Sequence, residues 1–139
     1  MAEIRKSQGP PHRDGTVAIE YGLILPFLLL FTLGIMDSGR LLWTQITLSR
    51  AADAAARCGA VDQTTCPAAA GIQTYAVAQA WGLNDVTAAD FTVTTQACGV
   101  QVQANYNFQF IIPWFYIAAP FGGANTMPLS ATACYPKQY

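Results

Sequence analysis

The order of apolar and polar positions divides the chain into three regimes. Residues Met1 to Asp14 are polar and carry Gly9, Pro10 and Pro11, a composition that breaks helices and offers little to bury. From Thr16 to Met36 the chain reads TVAIEYGLILPFLLLFTLGIM, close to the ~20 apolar residues that cross a bilayer as a helix and interrupted only by Glu20. Beyond it, Asp37 to Arg57 keeps Leu41, Leu42, Ile46 and Leu48 among polar residues and then turns alanine-rich, so the helix is expected to continue out of the membrane, with Gly59 as its stop. A helix from Thr16 to Cys58 would be about 65 Å long, far more than the bilayer core requires. Pro26 removes the hydrogen bond to the carbonyl of Gly22 and is expected to kink or loosen the span.

A second, short helix is predicted from Pro67 to Trp81, capped by Thr65 or Cys66 and ended by Gly82. The period then changes to two. Phe91, Val93 and Thr95 alternate with Thr92 and Thr94, and Val100 through Phe110 alternates apolar residues with Gln101, Gln103, Asn105, Asn107 and Gln109. A third strand is predicted from Met127 to Tyr135. The expected fold is therefore α+β: a long N-terminal helix, a short second helix and a small antiparallel sheet of about three strands with one face against the long helix. Between the last two strands, Phe110 to Gly123 reads FIIPWFYIAAPFGG, too apolar for an ordinary solvated loop. One reading makes it core cover, which the rarity of large exposed apolar patches favours. The other makes it a patch for a partner subunit or the membrane surface, with Trp114 and Tyr116 at the headgroups.

Composition supports a membrane or packed-assembly setting, since 53% of residues are hydrophobic and 11% are charged. Seven basic and eight acidic side chains nearly cancel without gathering into a stripe, which argues against nucleic acid as a partner. Cys58, Cys66, Cys98 and Cys134 all follow the apolar run, pointing to an oxidising far side and a cytoplasmic N-terminus. Arg5, Lys6 and Arg13 before the run favour the same orientation slightly over Arg40 and Arg50 after it. Four cysteines permit three pairings; Cys58 with Cys66 and Cys98 with Cys134 are the expected pairs, the second tying strands together. The sequence has no C-x-x-C pair and only His12 as a histidine, so no metal site and no cofactor are expected.

The string Asp14 to Tyr21, DGTVAIEY, stands where the polar leader meets the apolar run. Gly15 should favour a non-helical conformation, letting a membrane protease draw the bond before Thr16 into an extended shape. A cut there would create an α-amine on Thr16 one helical turn from Glu20. A carboxylate within a span costs about 3 kcal/mol unless compensated, and that cation, on the same chain or a neighbour, would offset it and set subunit register. An idle, hydrated Glu20 at the cytoplasmic interface is the plainer alternative.

These residues, GTVAIEYGLILPFLLLFTLGIMDSGR, resemble the TadE-like family of pseudopilins from tight-adherence pilus systems. The resemblance rests on Gly15, Glu20, Tyr21, the Leu25 and Pro26 pair, the apolar run, and Gly39 and Arg40 leading into an alanine-rich helix that ends ARCGA. It covers about Gly15 to Ala60. It implies processing by an aspartic prepilin peptidase and action as a minor pilin or pseudopilin supporting an adhesive type IV pilus. Other pilin subunits, the inner-membrane assembly platform and membrane lipid would be its partners. In that reading Gly15 precedes the cut, Thr16 is the mature N-terminus, and Glu20 with Tyr21 aligns subunits. The corresponding organisation is a leader over 1–15, a membrane half of the helix over 16–36, a periplasmic half over 37–58 and a disulfide-bearing α+β domain over 59–139, all held at the bacterial inner membrane or in the pilus.

Three alternatives compete with it. A cleaved secretory signal fits poorly, because the run exceeds the usual ~7 to 15 apolar residues and no small-x-small site follows it. An unprocessed single-pass periplasmic binding or scaffold protein shares every feature except the cut. An enzyme is disfavoured: a cut after Gly15 leaves no histidine, no glycine-rich phosphate loop precedes a helix, and Asp53, Asp62, Asp85 and Asp90 read as solvated carboxylates.

Overall fold

Alternation along one strand organises the folded part of the chain. The computed structural model describes residues 14–111 and 125–137. Its elements are helix α1 (Asp14–Val61), helix α2 (Ala69–Gln79), a 3-10 turn (Ala88–Asp90), and strands β1 (Phe91–Gln96), β2 (Gly99–Gln109) and β3 (Thr126–Tyr135). The sheet is antiparallel in the order β1-β2-β3, with Phe91 opposite Ala104 and Ala104 opposite Ala131. Val100, Val102, Ala104 and Phe108 of β2 are buried, while Gln103, Asn105, Asn107 and Gln109 face outward, as a half-buried strand requires. The expected α+β architecture of one long helix, one short helix and three antiparallel strands is therefore the observed one.

The chain divides into two units, the first ending at Ile35 and the second beginning at Met36. In the first, every apolar side chain of the run from Val17 to Leu33 is exposed. In the second, the core joins a face of α1 to the sheet and α2. Leu48, Ala51, Ala52, Ala55, Ala56 and Ala60 supply the helix side, Phe91, Val102 and Ala131 the sheet side, and Ile72 and Ala76 the α2 side. Alanine at these helical positions keeps the helix face flat, so the larger residues can come from opposite it. Burying Phe91 or Leu48 completely contributes about 1.5–3 kcal/mol each.

Two glutamines tie helices to sheet edges. Gln45 Nε2 donates to the Ser130 carbonyl of β3 at 3.2 Å, and Gln73 Nε2 donates to the Phe91 carbonyl of β1 at 2.7 Å. Each satisfies an edge carbonyl that no further strand among the described residues pairs with.

Local boundaries differ from expectation in three places. Gly59 does not stop α1, which runs on to Val61; the glycine lies inside the helix because Ile72 and Val100 press against it. Neither Thr65 nor Cys66 caps α2. Its N-cap is Ala68, without a side-chain bond; Thr65 lies earlier, in the turn where its N–H donates to Asp62, and Cys66 is held in a disulfide. Trp81 falls beyond α2 and is exposed, whereas Gly82 takes a φ of +87° just past the helix end, a conformation that favours glycine. Most of the apolar segment Phe110 to Gly123 lies outside the described residues; Phe110 is half-buried and Ile111 exposed.

Candidate processing and assembly segment

Helix α1 begins at Asp14, so Gly15 and Thr16 lie in its first turn. The bond between them is helical, which corrects the expectation of a non-helical Gly15. A single glycine costs a helix only about 0.5–1 kcal/mol, and first-turn N–H groups need no intrahelical acceptor, so the apolar helix that follows carries the turn with it. Gly15 is exposed, and a β-carbon there would meet nothing within 4 Å. Glu20 is exposed and, among the described residues, makes no hydrogen bond or ion pair. Tyr21 is exposed at 70%. Thr16 and Glu20 stand four residues apart on one helix, the spacing at which backbone N-terminus and side chain can meet. The helix runs without interruption through Pro26.

This segment forms part of the one described helix long and apolar enough to cross a membrane. Its most apolar stretch has a mean hydropathy of 2.0, and none of that stretch is buried within the protein. Such a helix in a lone chain leaves its hydrocarbon side chains to be covered by lipid or by other subunits.

Just beyond it lies a feature that the sequence reading did not pick out. Asp37 is 2% exposed, and its Oδ1 accepts a hydrogen bond from Arg40 Nη1 at 3.0 Å and a longer one from the Ile111 N–H at 3.4 Å. Arg40 in turn stands 5.2 Å over the ring of Phe108, which meets Phe110 edge to face at 5.1 Å. A buried carboxylate paired in this way fixes the end of β2 against α1. The available signal was an aspartate and an arginine three apart immediately after an apolar run; Phe108, distant in sequence, gave none.

The four cysteines pair as Cys58 with Cys66 and Cys98 with Cys134. The first closes the turn after α1. There the Asp62 carboxylate accepts from the Thr64 hydroxyl and from the Thr64 and Thr65 N–H groups, and these bonds, the Thr64 side chain foremost, hold its carboxyl well below the usual range. The second joins the β1-β2 hairpin to β3. Gly99, at a φ of +123°, begins β2 against the Tyr135 carbonyl and Pro136, where any β-carbon would collide.

A cleft of about 700 Å³ lies between α1, the stretch around Gly82–Asp85 and the end of β2, lined by Arg40, Trp43, Asp85, Asp90 and Tyr106 among others. Burial, reinforced by the charge of Asp85, pushes the Tyr106 hydroxyl above its ordinary pKa. Among the described residues no cluster of histidine, cysteine or acidic side chains could hold a metal ion.

The chain is thus an α+β protein with a single described helix able to anchor it in a membrane. Residues 15–57 match the family model described as TadE-like protein, the family that the N-terminal residues resemble. The match begins at Gly15 and ends one residue before Cys58, so the sheet and α2 lie outside it. No curated protein and no solved structure matches the chain significantly.

Proposed function

We propose that the protein is a minor pilin or pseudopilin that supports assembly of a tight-adherence type IV pilus used in surface adhesion. The observation that carries this reading is the family match over residues 15–57. It coincides with an apolar helix bearing one exposed carboxylate, Glu20, near its start. In this reading a prepilin peptidase cuts between Gly15 and Thr16, and the new α-amine and Glu20 set the register of one subunit against the next. Tyr21 packs beside them. The apolar half of α1 anchors the chain in the inner membrane, and the second unit stands in the periplasm, where oxidation closes both disulfides.

The helical state of the Gly15–Thr16 bond gives cleavage a physical requirement. A protease needs an extended strand in its site, so the first turn must unwind, and a terminal turn containing glycine unwinds more readily than an interior one without it. N-terminal sequencing or intact mass of the protein purified from its own cells, with the other pilus components present, tests the reading. A start at Thr16, with or without a methyl group, is expected. A start at Met1 or Ala2 would instead assign an unprocessed single-pass anchor.

A further inference from the structure

Strand β2 outruns its partner on one side. β1 accompanies it only from Gly99 to Ala104, while β3 pairs with it as far as Gln109. From Asn105 onward no described residue pairs with β2 on the β1 side. The alternation of an antiparallel ladder then fixes where each main-chain group points. The Phe110 N–H donates to the Asn125 carbonyl at 3.0 Å, so Phe110, Phe108 and Tyr106 exchange their bonds with β3. Ser130, opposite Asn105, sends its carbonyl out to Gln45 instead, which is the complementary phase. Phe91, opposite Ala104, sends its carbonyl out to Gln73 in the same phase. Asn105, Asn107 and Gln109 therefore turn their N–H and C=O groups toward the side that β1 has left.

That bare edge is one wall of the 700 Å³ cleft, which Asn107 and Gln109 line together with Trp43, Gly82, Asp85 and Asp90. The outer edges of β1 and β3 each have one carbonyl bonded by a glutamine, and β3 also carries Pro128, whereas Asn105–Gln109 has no proline, lysine or bulge to discourage pairing. Its free donors and acceptors recur at every second residue, about 7 Å apart, a spacing that another extended main chain reproduces. The charge of the cleft is also one-sided. Arg40 is offset by Asp37 at 3.0 Å, which leaves Asp85 and Asp90 in excess. Trp43, 58% exposed and packed beside Gly82, offers an aromatic wall to an aliphatic stem or a cation.

We propose that this cleft is a strand-addition site: an extended segment of a partner protein pairs its main chain with Asn105, Asn107 and Gln109 and directs a lysine or arginine toward Asp85 and Asp90. The pairing strand and both acidic residues lie outside the residues that match the family, while Arg40 and Trp43 on the helical wall lie within them; the proposal goes beyond the pilus reading and does not depend on it.

Hydrogen exchange and a peptide library test it on the full chain in detergent micelles. In the free protein the amides of Asn107 and Gln109 exchange at least about 100-fold faster than those of Tyr106 and Phe108. Panning a displayed library of random octapeptides enriches sequences with a basic residue between β-branched or aromatic ones. A synthetic peptide of the leading sequence then slows exchange at Asn107 and Gln109, and Asp85→Lys weakens its binding at least about tenfold, with the far-ultraviolet circular dichroism unchanged. Equal protection of all four amides in the free protein overturns the proposal. So does a failure to enrich any sequence, enrichment without a basic residue, or a peptide whose protection maps elsewhere. Cellotetraose perturbing Asn107 and Gln109 where the peptides do not would assign the cleft to saccharide instead.

Discussion

Gly59 and Ile72 approach so closely that a β-carbon on the glycine would lie 2.5 Å from Cδ1 of the isoleucine, with Val100 Cγ1 at 3.2 Å on the other side. Ile72 is 5% exposed, so its tip has little room to retreat. Gly59→Val should therefore overpack the junction of α1, α2 and β2 and cost about 2 kcal/mol, roughly 10 °C of melting temperature. Gly59→Ala should lose less, because better helix propensity offsets part of the crowding. Combining it with Ile72→Val should recover stability relative to the sum of the two single changes. A thermal-melt double-mutant cycle checks the coupling, and strict additivity would mean the contact is not felt.

The two disulfides should differ in what they contribute. Cys98 and Cys134 close a separation of 36 residues, worth about 4 kcal/mol in the chain-entropy account, whereas Cys58 and Cys66 close one of 8, worth about 2.5 kcal/mol. Replacing Cys98 and Cys134 together by alanine should lower the urea midpoint more than replacing Cys58 and Cys66 together. The reverse order would show that the short loop holds native structure that chain entropy does not count.

Asp62 gives the same short loop a pH dependence. Its folded pKa is depressed by the Thr64 and Thr65 hydrogen bonds, so its stabilising contribution is present above the unfolded value, about 3.9, and is lost as pH falls through the folded value below that. Asp62→Ala should therefore melt below wild type at pH 7 and at pH 5, with the gap narrowing as pH drops under about 4. A gap that stays constant down to pH 2 would place the effect in packing.

Much of the fold could be read from periodicity, because the period signals were strong where they existed. β2 alternates amides with apolar residues along its length, and the run after Thr16 is almost uncharged. What could not be read depended on contacts between distant residues. A glycine that ends a helix and one pressed by an isoleucine look identical in sequence, hence the difference at Gly59. Helix α2 starts only after Ala68, beyond the turn that Asp62 and the Cys58–Cys66 disulfide hold. The Asp37, Arg40 and Phe108 cluster and the bare edge of β2 both require strand register, which alternation alone does not supply. Gly15, Thr16, Glu20 and Tyr21 were singled out by their place at the head of the apolar run, and the role proposed for them awaits the tests below; the helical conformation of the first pair was not legible.

Gly15 offers a test that separates folding from processing. Nothing lies within 4 Å of its missing β-carbon, so Gly15→Ala should leave insertion and the fold unchanged while stabilising the first turn by up to about 1 kcal/mol. That lowers the unwound population roughly fivefold. Pulse-chase labelling should show the larger precursor band persisting correspondingly longer, and Gly15→Leu should block the cut. Cleavage of both variants at the wild-type rate would move the processing site elsewhere.

Glu20 carries the remaining test of the assembly reading. It is exposed on a helix whose neighbours are apolar and, among the described residues, has no partner, so in hydrocarbon it bears a cost of about 3 kcal/mol that only a cation or water can offset. Glu20→Ala removes that cost and should insert at least as well as wild type. Piliation should nonetheless fall sharply, because the Thr16 amine of the mature chain loses its partner. Glu20→Gln should fall as well, since an amide keeps the shape and hydrogen bonds but not the charge, whereas Glu20→Asp should retain part of the function. Filament counts by electron microscopy, normalised to membrane-inserted protein on a blot, give the comparison. Wild-type filaments in the Ala and Gln variants would leave Glu20 as a hydrated interface residue with no part in register.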